Sequence, residues 1–347
     1  MKILLTTDFH IGFRPKSHVT PRSAKLYEEM VYDIAVAASS YEADLKINLG
    51  DLFDKYSNSE EVILQGAHAV EGYEFVMSGN HDVRNIHGST SSLELLSQMR
   101  PGVRFTHAGP EICQYAGNGF QFTACCHYFT QAEFEAAIRK ACGMIRHNKL
   151  DMLLLHCNVG DGHGEEIVGD QSSLYLTSEL QELVSERFDF VFVGHEHVRR
   201  KVKNNIFILG NHFPLSFGEM SDRWVHVLDT ETKEIEKIKV FDVSRSYRQI
   251  SAADLINSAS ELDLEGECYF LEVDGEIKPE ERPELSKALV TVWKNNCYTL
   301  LALKNNVTIS GGKGKAKKQS SSAMDFMAYL TQQVEQAGFE EELKEVQ

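Results

Sequence analysis

No stretch of this chain stays apolar for the ~18–20 residues that a membrane-spanning helix requires. The N-terminal MKILLTTDFH has only Ile3, Leu4 and Leu5 before Thr6-Thr7-Asp8, too short a run for the core of a signal peptide. No CxxC pair occurs, and the seven cysteines are odd in number. Reduced thiols in a cytoplasmic protein are therefore expected, not a disulfide framework. Positive charge is in deficit, with 35 Lys and Arg against 51 Asp and Glu, a net charge of −16. That disfavours a protein gripping nucleic acid with its whole surface, so any DNA contact has to come from local basic patches or from metal ions. Internal repeats are missing too. What is present, 42% hydrophobic and 25% charged residues over 347 positions, excludes a disordered, collagenous or fibrous chain and is enough for two folded units with a tail.

Strand-like and helix-like segments alternate. Lys2–Thr7, Leu45–Leu49, Tyr73–Met77, Leu150–Leu155 and Phe188–Val193 read as buried strands. Arg22–Ser39 repeats its apolar residues at helical spacing, as does the segment holding Phe134, Ile138, Ala141 and Ile145. Ile206–Leu209, Trp224–Leu228 and Ile235–Phe241 follow as short strands, so the α/β pattern shifts towards β near residue 200. After Phe241, Ser251–Ser258 and Glu284–Trp293 suggest helices, and Glu267–Val273 and Tyr298–Leu303 suggest strands, enough for a small α/β domain over 242–305. Residues 306–322 are rich in Gly, Lys and Ser and read as a flexible linker. Within 323–347, Ala323, Met327, Leu330, Val334 and Ala337 make one apolar helical stripe, of the kind that docks in a partner's groove.

Polar clusters fall directly after the apolar runs: Asp8 and His10, Asp51, Asn80 and His81, His156, then His195 and His197. In α/β sheets, groups beyond the carboxyl ends of separate strands converge on one crevice. Mixed oxygen and nitrogen donors without thiolate suit Mn²⁺, Fe²⁺ or Zn²⁺ better than Mg²⁺ or Ca²⁺. Seven donors exceed one ion's needs, so two ions sharing a bridging group, about 3.5–4 Å apart, are the economical solution.

In order, Asp8-x-His10, Gly50-Asp51-x-x-Asp54, Gly79-Asn80-His81-Asp82, His156 and Gly194-His195-x-His197 resemble the signature of the calcineurin-like metallophosphoesterases. The resemblance covers roughly residues 1–240 and implies a two-sheet α-β-β-α sandwich. Gly50-Asp-Leu-Phe-Asp54, the GNHD motif and Ile208–Glu219 look more narrowly like the nuclease subunit of the SbcCD type, from double-strand-break repair. That likeness implies a nuclease domain over 1–241, a small DNA-capping domain over 242–305 and a C-terminal helix, 323–347, binding an SbcC-like SMC-family coiled-coil ATPase. It further implies a homodimer, DNA as substrate, and two divalent ions, most simply Mn²⁺. Asp8, His10 and His197 would hold one ion and Asn80, His156 and His195 the other, with Asp51 bridging. His81 would contact the scissile phosphate and assist the leaving group, its imidazole oriented by Asp54 or Asp82, with Asp54 favoured. Gly210-Asn211-His212 repeats GNH after a strand, at a turn where relatives often carry Gly-Ser-Pro, and His212 is a substrate-pocket candidate.

Arg199, Arg200, Lys201 and Lys203 crowd four positive charges into five residues. They read either as a solvated strand edge or as a phosphate-contacting patch, Arg199 and Arg200 being the substrate candidates. Asp161-Gly-His163 repeats the DxH spacing in a Gly-rich loop with no strand before it, which weakens it as a metal site. Residues 261–284, with ten acidic and two basic side chains, are ill suited to lie against phosphates. The Ser/Thr phosphatase branch continues GDxxD with Arg-Gly, whereas Lys55-Tyr56 follows Asp54 here. A stand-alone phosphoesterase acting on phosphoproteins or small phosphodiesters is thus the alternative to a DNA exonuclease/endonuclease.

Overall fold

A computed structural model describes residues 1–83, 90–106, 112–117, 119–145, 149–160, 174–262, 264 and 269–310. These divide into two compact units. One comprises Met1–Phe13 and Met30–Asp242, the other Arg14–Glu29 together with the chain from Val243 on.

The first unit opens with β1 (Lys2–Thr6), the second half of α1 (Pro21–Ser39, from Met30 on), β2 (Leu45–Asn48), α2 (Glu60–Ala69), β3 (Phe75–Val76), α3 (Ser92–Met99) and β4 (Arg104–Phe105). It continues through β5 (Ile112–Ala116), β6 (Phe120–Cys125), α4 (Gln131–Cys142), β7 (Leu150–His156), β8 (Asn158–Val159) and β9 (Tyr175–Leu176). After α5 (Ser178–Arg187) come β10 (Phe190–Gly194), β11 (Arg200–Lys201), β12 (Ile206–Ile208), β13 (Arg223–Asp229) and β14 (Ile235–Phe241). Two six-stranded sheets result, ordered β14-β13-β1-β2-β3-β4 and β11-β12-β10-β7-β6-β5. Within the first, β1 to β4 are mutually parallel. Within the second, β6, β7, β10 and β12 are.

Strand periodicity explains the layering, because alternate residues point to opposite faces. Ile3, Leu5 and Ile47 of one sheet join Phe122, Met152, Leu154 and Phe192 of the other in a common core. The intervening Leu4 packs with Ala35, Val62, Leu93 and Leu96 of the helices outside the first sheet. Leu153, Leu155, Val191 and Val193 pack with Phe134, Ile138, Leu180 and Val184 outside the second. Each such side chain, fully buried, contributes about 1.5–3 kcal/mol. Ser59, Ser91, Thr130 and Thr177 start α2, α3, α4 and α5 by accepting from the backbone N–H of Val62, Glu94, Glu133 and Leu180. The fold is thus the expected α/β arrangement of two mixed sheets flanked by helices.

The second unit carries α6 (Val243–Ser246), β15 (Tyr247–Ser251), α7 (Ala252–Ser258), β16 (Phe270–Asp274), β17 (Glu276–Ile277), α8 (Arg282–Asn295), β18 (Ala302–Asn305) and β19 (Thr308–Ile309). Its three-stranded sheet β15-β16-β18 is parallel. Arg14–Glu29 belongs with it: Leu303 N donates to His18 O at 2.8 Å, and the rings of Tyr27 and Phe270 lie 5.7 Å apart. A continuous domain over 1–241 did not anticipate this. The stretch from residue 306 also begins in order, since β19 pairs with β17 and Ser310 N donates to Ile277 O. The rest of the linker, from 311, and the 323–347 stripe lie outside the described residues.

Candidate metal centre

Three parallel strands from the first sheet and two from the second end at one site. The loop after β1 brings Asp8 and His10, the loop after β2 Asp51, and the loop after β3 Asn80 and His81. From the second sheet, β7 ends in His156, and the loop after β10 brings His195 and His197. The β1 and β2 loops are zipped together: Asp8 N donates to Gly50 O at 2.9 Å, His10 N to Asp51 O at 3.0 Å, and Ile11 N to Leu52 O at 2.9 Å.

This pairing forces unusual backbone. Asp8 (φ 51°), His10 (φ 49°), Asp51 (φ 51°) and His195 (φ 88°) all occupy left-handed conformations. Such strain costs on the order of 1–3 kcal/mol per non-glycine residue and gathers at functional sites. Gly50 (φ 107°) and Gly79 satisfy the tightest approaches: a Cβ on Gly50 would meet His156 Nδ1 at 2.7 Å, and one on Gly79 would collide with the Asp51 carboxylate.

The donor atoms form two sets. His10 Nε2 lies 3.1 Å from His197 Nε2 and 3.8 Å from Asp8 Oδ1. Asn80 Oδ1 lies 3.1 Å from His156 Nε2 and 2.8 Å from His195 Nδ1. Asp51 Oδ2 is common to both, 3.9 Å from His10 Nε2 and 3.2 Å from His156 Nε2. Its Oδ1 is occupied by the backbone N–H of His81 at 2.8 Å. With metal–ligand bonds of about 2.0–2.2 Å, donors around one ion sit roughly 3–4 Å apart, so the set fits divalent cations. Groups close enough to hold an ion are Asp8/His10/His197, Asp51/His156/His195 and His10/Asp51/His81.

Partners behind the donors fix their tautomers. His156 Nδ1 donates to Leu49 O at 2.8 Å, leaving Nε2 turned to the centre. His197 Nδ1 pairs with Glu219 Oε1 at 3.1 Å. Asp8 accepts from Thr7 Oγ1 at 2.6 Å and from the His195 backbone N–H at 3.0 Å. Charge follows geometry. Burial disfavours protonated His156, but the charge and hydrogen bond of Asp51 outweigh it and raise the pKa to about 9. Burial likewise disfavours the Asp51 carboxylate, yet His156, His10 and His81 together hold it well below the ordinary range. His10 is lowered to about 3, chiefly by burial, and His195 to about 4 for the same reason.

A model of the calcineurin-like phosphoesterases matches residues 1–199. The chain belongs to this family. Calcineurin-like phosphoesterases are metal-dependent phosphoester hydrolases, and the donor sets above are where this member can hold its divalent ions. Among solved structures, the chain is similar to TT1561 of Thermus thermophilus, at 12% identity over 69% of this chain and 99% of that one, with a TM-score of 0.40. It is similar to a novel archaeal phosphodiesterase at 17% identity over 69% and 99%, TM-score 0.35. A metallophosphoesterase from Sphaerobacter thermophilus matches at 12% identity over 75% and 94%, TM-score 0.33. No curated protein matches the sequence.

The other candidate residues of this calcineurin-like phosphoesterase have the following surroundings. Asp54 touches His81 through its backbone, His81 Nδ1 donating to Asp54 O at 2.7 Å; its carboxylate lies 3.8 Å from His10 Nδ1 instead. Asp82, the other candidate, is turned to the backbone N–H groups of Leu52, Phe53 and Gly79 and braces the loops. Arg200 is committed to Glu196, with Nε and Nη2 at 2.9 and 3.0 Å from its oxygens, and to Val159 O at 2.8 Å. Arg199 Nε donates to His226 Nε2 at 3.3 Å, and Lys203 pairs with Glu182. Arg200 and Lys203 are thus ion-paired, whereas Arg199 meets an uncharged imidazole and Lys201 lies over the Phe207 ring. His212 is 3% exposed and packs edge-on against Phe9 at 4.9 Å, beside the Asp8 loop. Asp161 and His163 lie outside the described residues.

Two residues escaped the sequence reading. Glu219 also accepts from Asn211 Nδ2 and Leu215 N, each at 3.1 Å, a tertiary arrangement no local pattern announces. His127 follows β6 just as the other site residues follow their strands, and recognising Phe120–Cys125 as a strand would have found it.

Proposed function

We propose that this protein is a two-metal phosphodiesterase that cuts DNA in the cytoplasm, as the nuclease subunit of a repair complex with an SMC-like ATPase. The observation that carries the two-metal part is Asp51 Oδ2, set between His10 on one side and His156 on the other. Asp8, His10 and His197 would hold one ion, Asn80, His156 and His195 the second, and Asp51 would be shared. Divalent ions bound there lower the pKa of a water and screen the phosphate. Mn²⁺ suits the mixed O/N donors.

The chain's own groups do the rest. His81 Nδ1 is engaged by Asp54 O, which leaves Nε2 to face substrate and donate to the departing oxygen. Burial works against a protonated His81, but Asp51, the Asp54 carbonyl and the Asp54 and Asp82 charges outweigh it and raise the pKa. Nuclease specificity rests on the likeness to the SbcCD type, and so do the docking of 323–347 on a coiled-coil ATPase and pairing into a homodimer. Leu64 of α2 and Leu95 and Met99 of α3 are exposed apolar side chains on helices of this unit.

A second reading, a stand-alone hydrolase of small phosphodiesters or phosphoproteins, gains from the ion-pairing of Arg200 and Lys203, which leaves fewer free cations for a DNA backbone. One assay separates them. Mn²⁺-loaded protein is offered linear duplex DNA, a phosphopeptide and bis(p-nitrophenyl) phosphate. DNA degradation that vanishes in His81→Gln supports the nuclease; phosphopeptide turnover with intact DNA establishes the alternative. Deleting 323–347 should abolish co-purification with the ATPase, and unchanged association removes that partner.

A further inference from the structure

His127 has no place in either donor set. β6 runs parallel to β7 with Cys125 level with Leu155, so His127 leaves β6 at the sheet edge where β7 delivers His156 and β10 delivers His195 and His197. Its backbone N–H donates to Ser78 O at 3.4 Å, tying it to the start of the Gly79-Asn80-His81 loop. The side chain is 5% exposed and meets the Phe129 ring edge-on at 6.1 Å.

Among the described residues, neither ring nitrogen forms a hydrogen bond. The charges acting on the ring are those of His156, Asp51, His195 and His81, which sets it on the His156 side of the centre. Burial, reinforced by His156 and opposed by Asp51, lowers its pKa to about 4. The ring is then neutral near neutral pH, with one N–H to give. The ring nitrogens are not among the side-chain atoms sealed from solvent without a partner, so an unbonded nitrogen of His127 stays reachable at this end of the strands. A ligand entering from that side can accept its N–H.

We propose that His127 is a further substrate-contacting residue, donating a hydrogen bond to a non-bridging phosphate oxygen on the Asn80–His156–His195 side of the site. The inference rests on the phosphoester-hydrolase reading of that site. Its ligand class is a phosphate anion, whichever ester carries it.

The test compares wild-type protein with His127→Phe, which keeps a ring but no donor, and His127→Gln, which keeps an N–H. Each is loaded with Mn²⁺, its metal content is measured, and inorganic phosphate is titrated calorimetrically. Phosphate affinity should fall about tenfold in the Phe variant and stay within about threefold in the Gln variant, the loss of one hydrogen bond to a charged group. Metal content should be equal in all three. With bis(p-nitrophenyl) phosphate, KM should rise in the Phe variant while kcat holds. Phosphate binding by the Phe variant at wild-type strength overturns the inference, as does a wild-type protein that binds no phosphate. Loss of one metal equivalent in both variants overturns it in favour of a metal ligand. If wild-type protein binds phosphate but hydrolyses no phosphoester, the reading of the site falls, and the titration still decides His127.

Discussion

His197 Nδ1 and Glu219 Oε1 lie 3.1 Å apart, and the same imidazole presents Nε2 to His10 Nε2 at 3.1 Å. A carboxylate behind a metal-facing histidine fixes its tautomer and orientation. Burial would raise the Glu219 pKa, but hydrogen bonds from His197, Leu215 and Asn211 hold it at about 2, so the carboxylate is charged at any working pH. Glu219→Gln should weaken affinity at the Asp8/His10/His197 group by about 10–100-fold. A competitive metal titration checks this. Unaltered affinity in a folded variant would mean the pair is only structural.

Gly79→Ala should be among the most damaging single-methyl changes in the chain. The new Cβ would collide with the Asp51 carboxylate and backbone N–H, and neither can yield without moving the shared oxygen. Overpacking of this kind costs about 1–3 kcal/mol. Thermal unfolding should show the loss, and metal titration should show weakened uptake; a variant with wild-type values in both contradicts the geometry.

Metal uptake should release a proton in a defined pH window. In the metal-free protein His156 carries a pKa raised to about 9, despite burial, by Asp51, whereas a metal ligand must be neutral. Near pH 7.5, loading should therefore expel about one proton at this residue, detectable in weakly buffered solution, and the release should fade above pH 9. Because the folded pKa exceeds the unfolded value, protonated His156 stabilises the metal-free fold. Its contribution is complete below about pH 6.5 and is lost as pH climbs through 9. Stability of metal-free protein that is flat from pH 6 to 9.5 excludes this coupling.

Arg200 should be a poor lever on DNA. Its guanidinium is shared between Glu196 and Val159 O, so Arg200→Ala should leave the slope of log affinity against log salt unchanged. A phosphate-contacting arginine would lower that slope by roughly one. Electrophoretic or fluorescence titrations across a salt series distinguish the two.

The strand-end residues were legible because each sits where an apolar run stops, and a parallel sheet gathers such ends without further information. The flanking helices were legible only in part. Arg22–Ser39 agrees closely with α1, and the Phe134–Ile145 periodicity finds α4, whereas α2, α3 and α5 went unread. The hairpin of β5 and β6 also went unread, and with it His127, because its alternation is masked where both faces are buried. Arg200's fate was written four residues upstream in Glu196, but His212 was not legible: only tertiary packing on Phe9 decides that an imidazole after a strand turns inward. The role of Asp54 was read from its side chain when its carbonyl does the work, a choice that backbone course alone determines.

The central claim is that the scattered donors surround two cations sharing Asp51. Anomalous diffraction from a manganese-soaked crystal tests it most directly. Two peaks about 3.5–4 Å apart should appear, one beside Asp8, His10 and His197, the other beside Asn80, His156 and His195, with Asp51 touching both. A single peak, or peaks away from Asp51, would contradict the account.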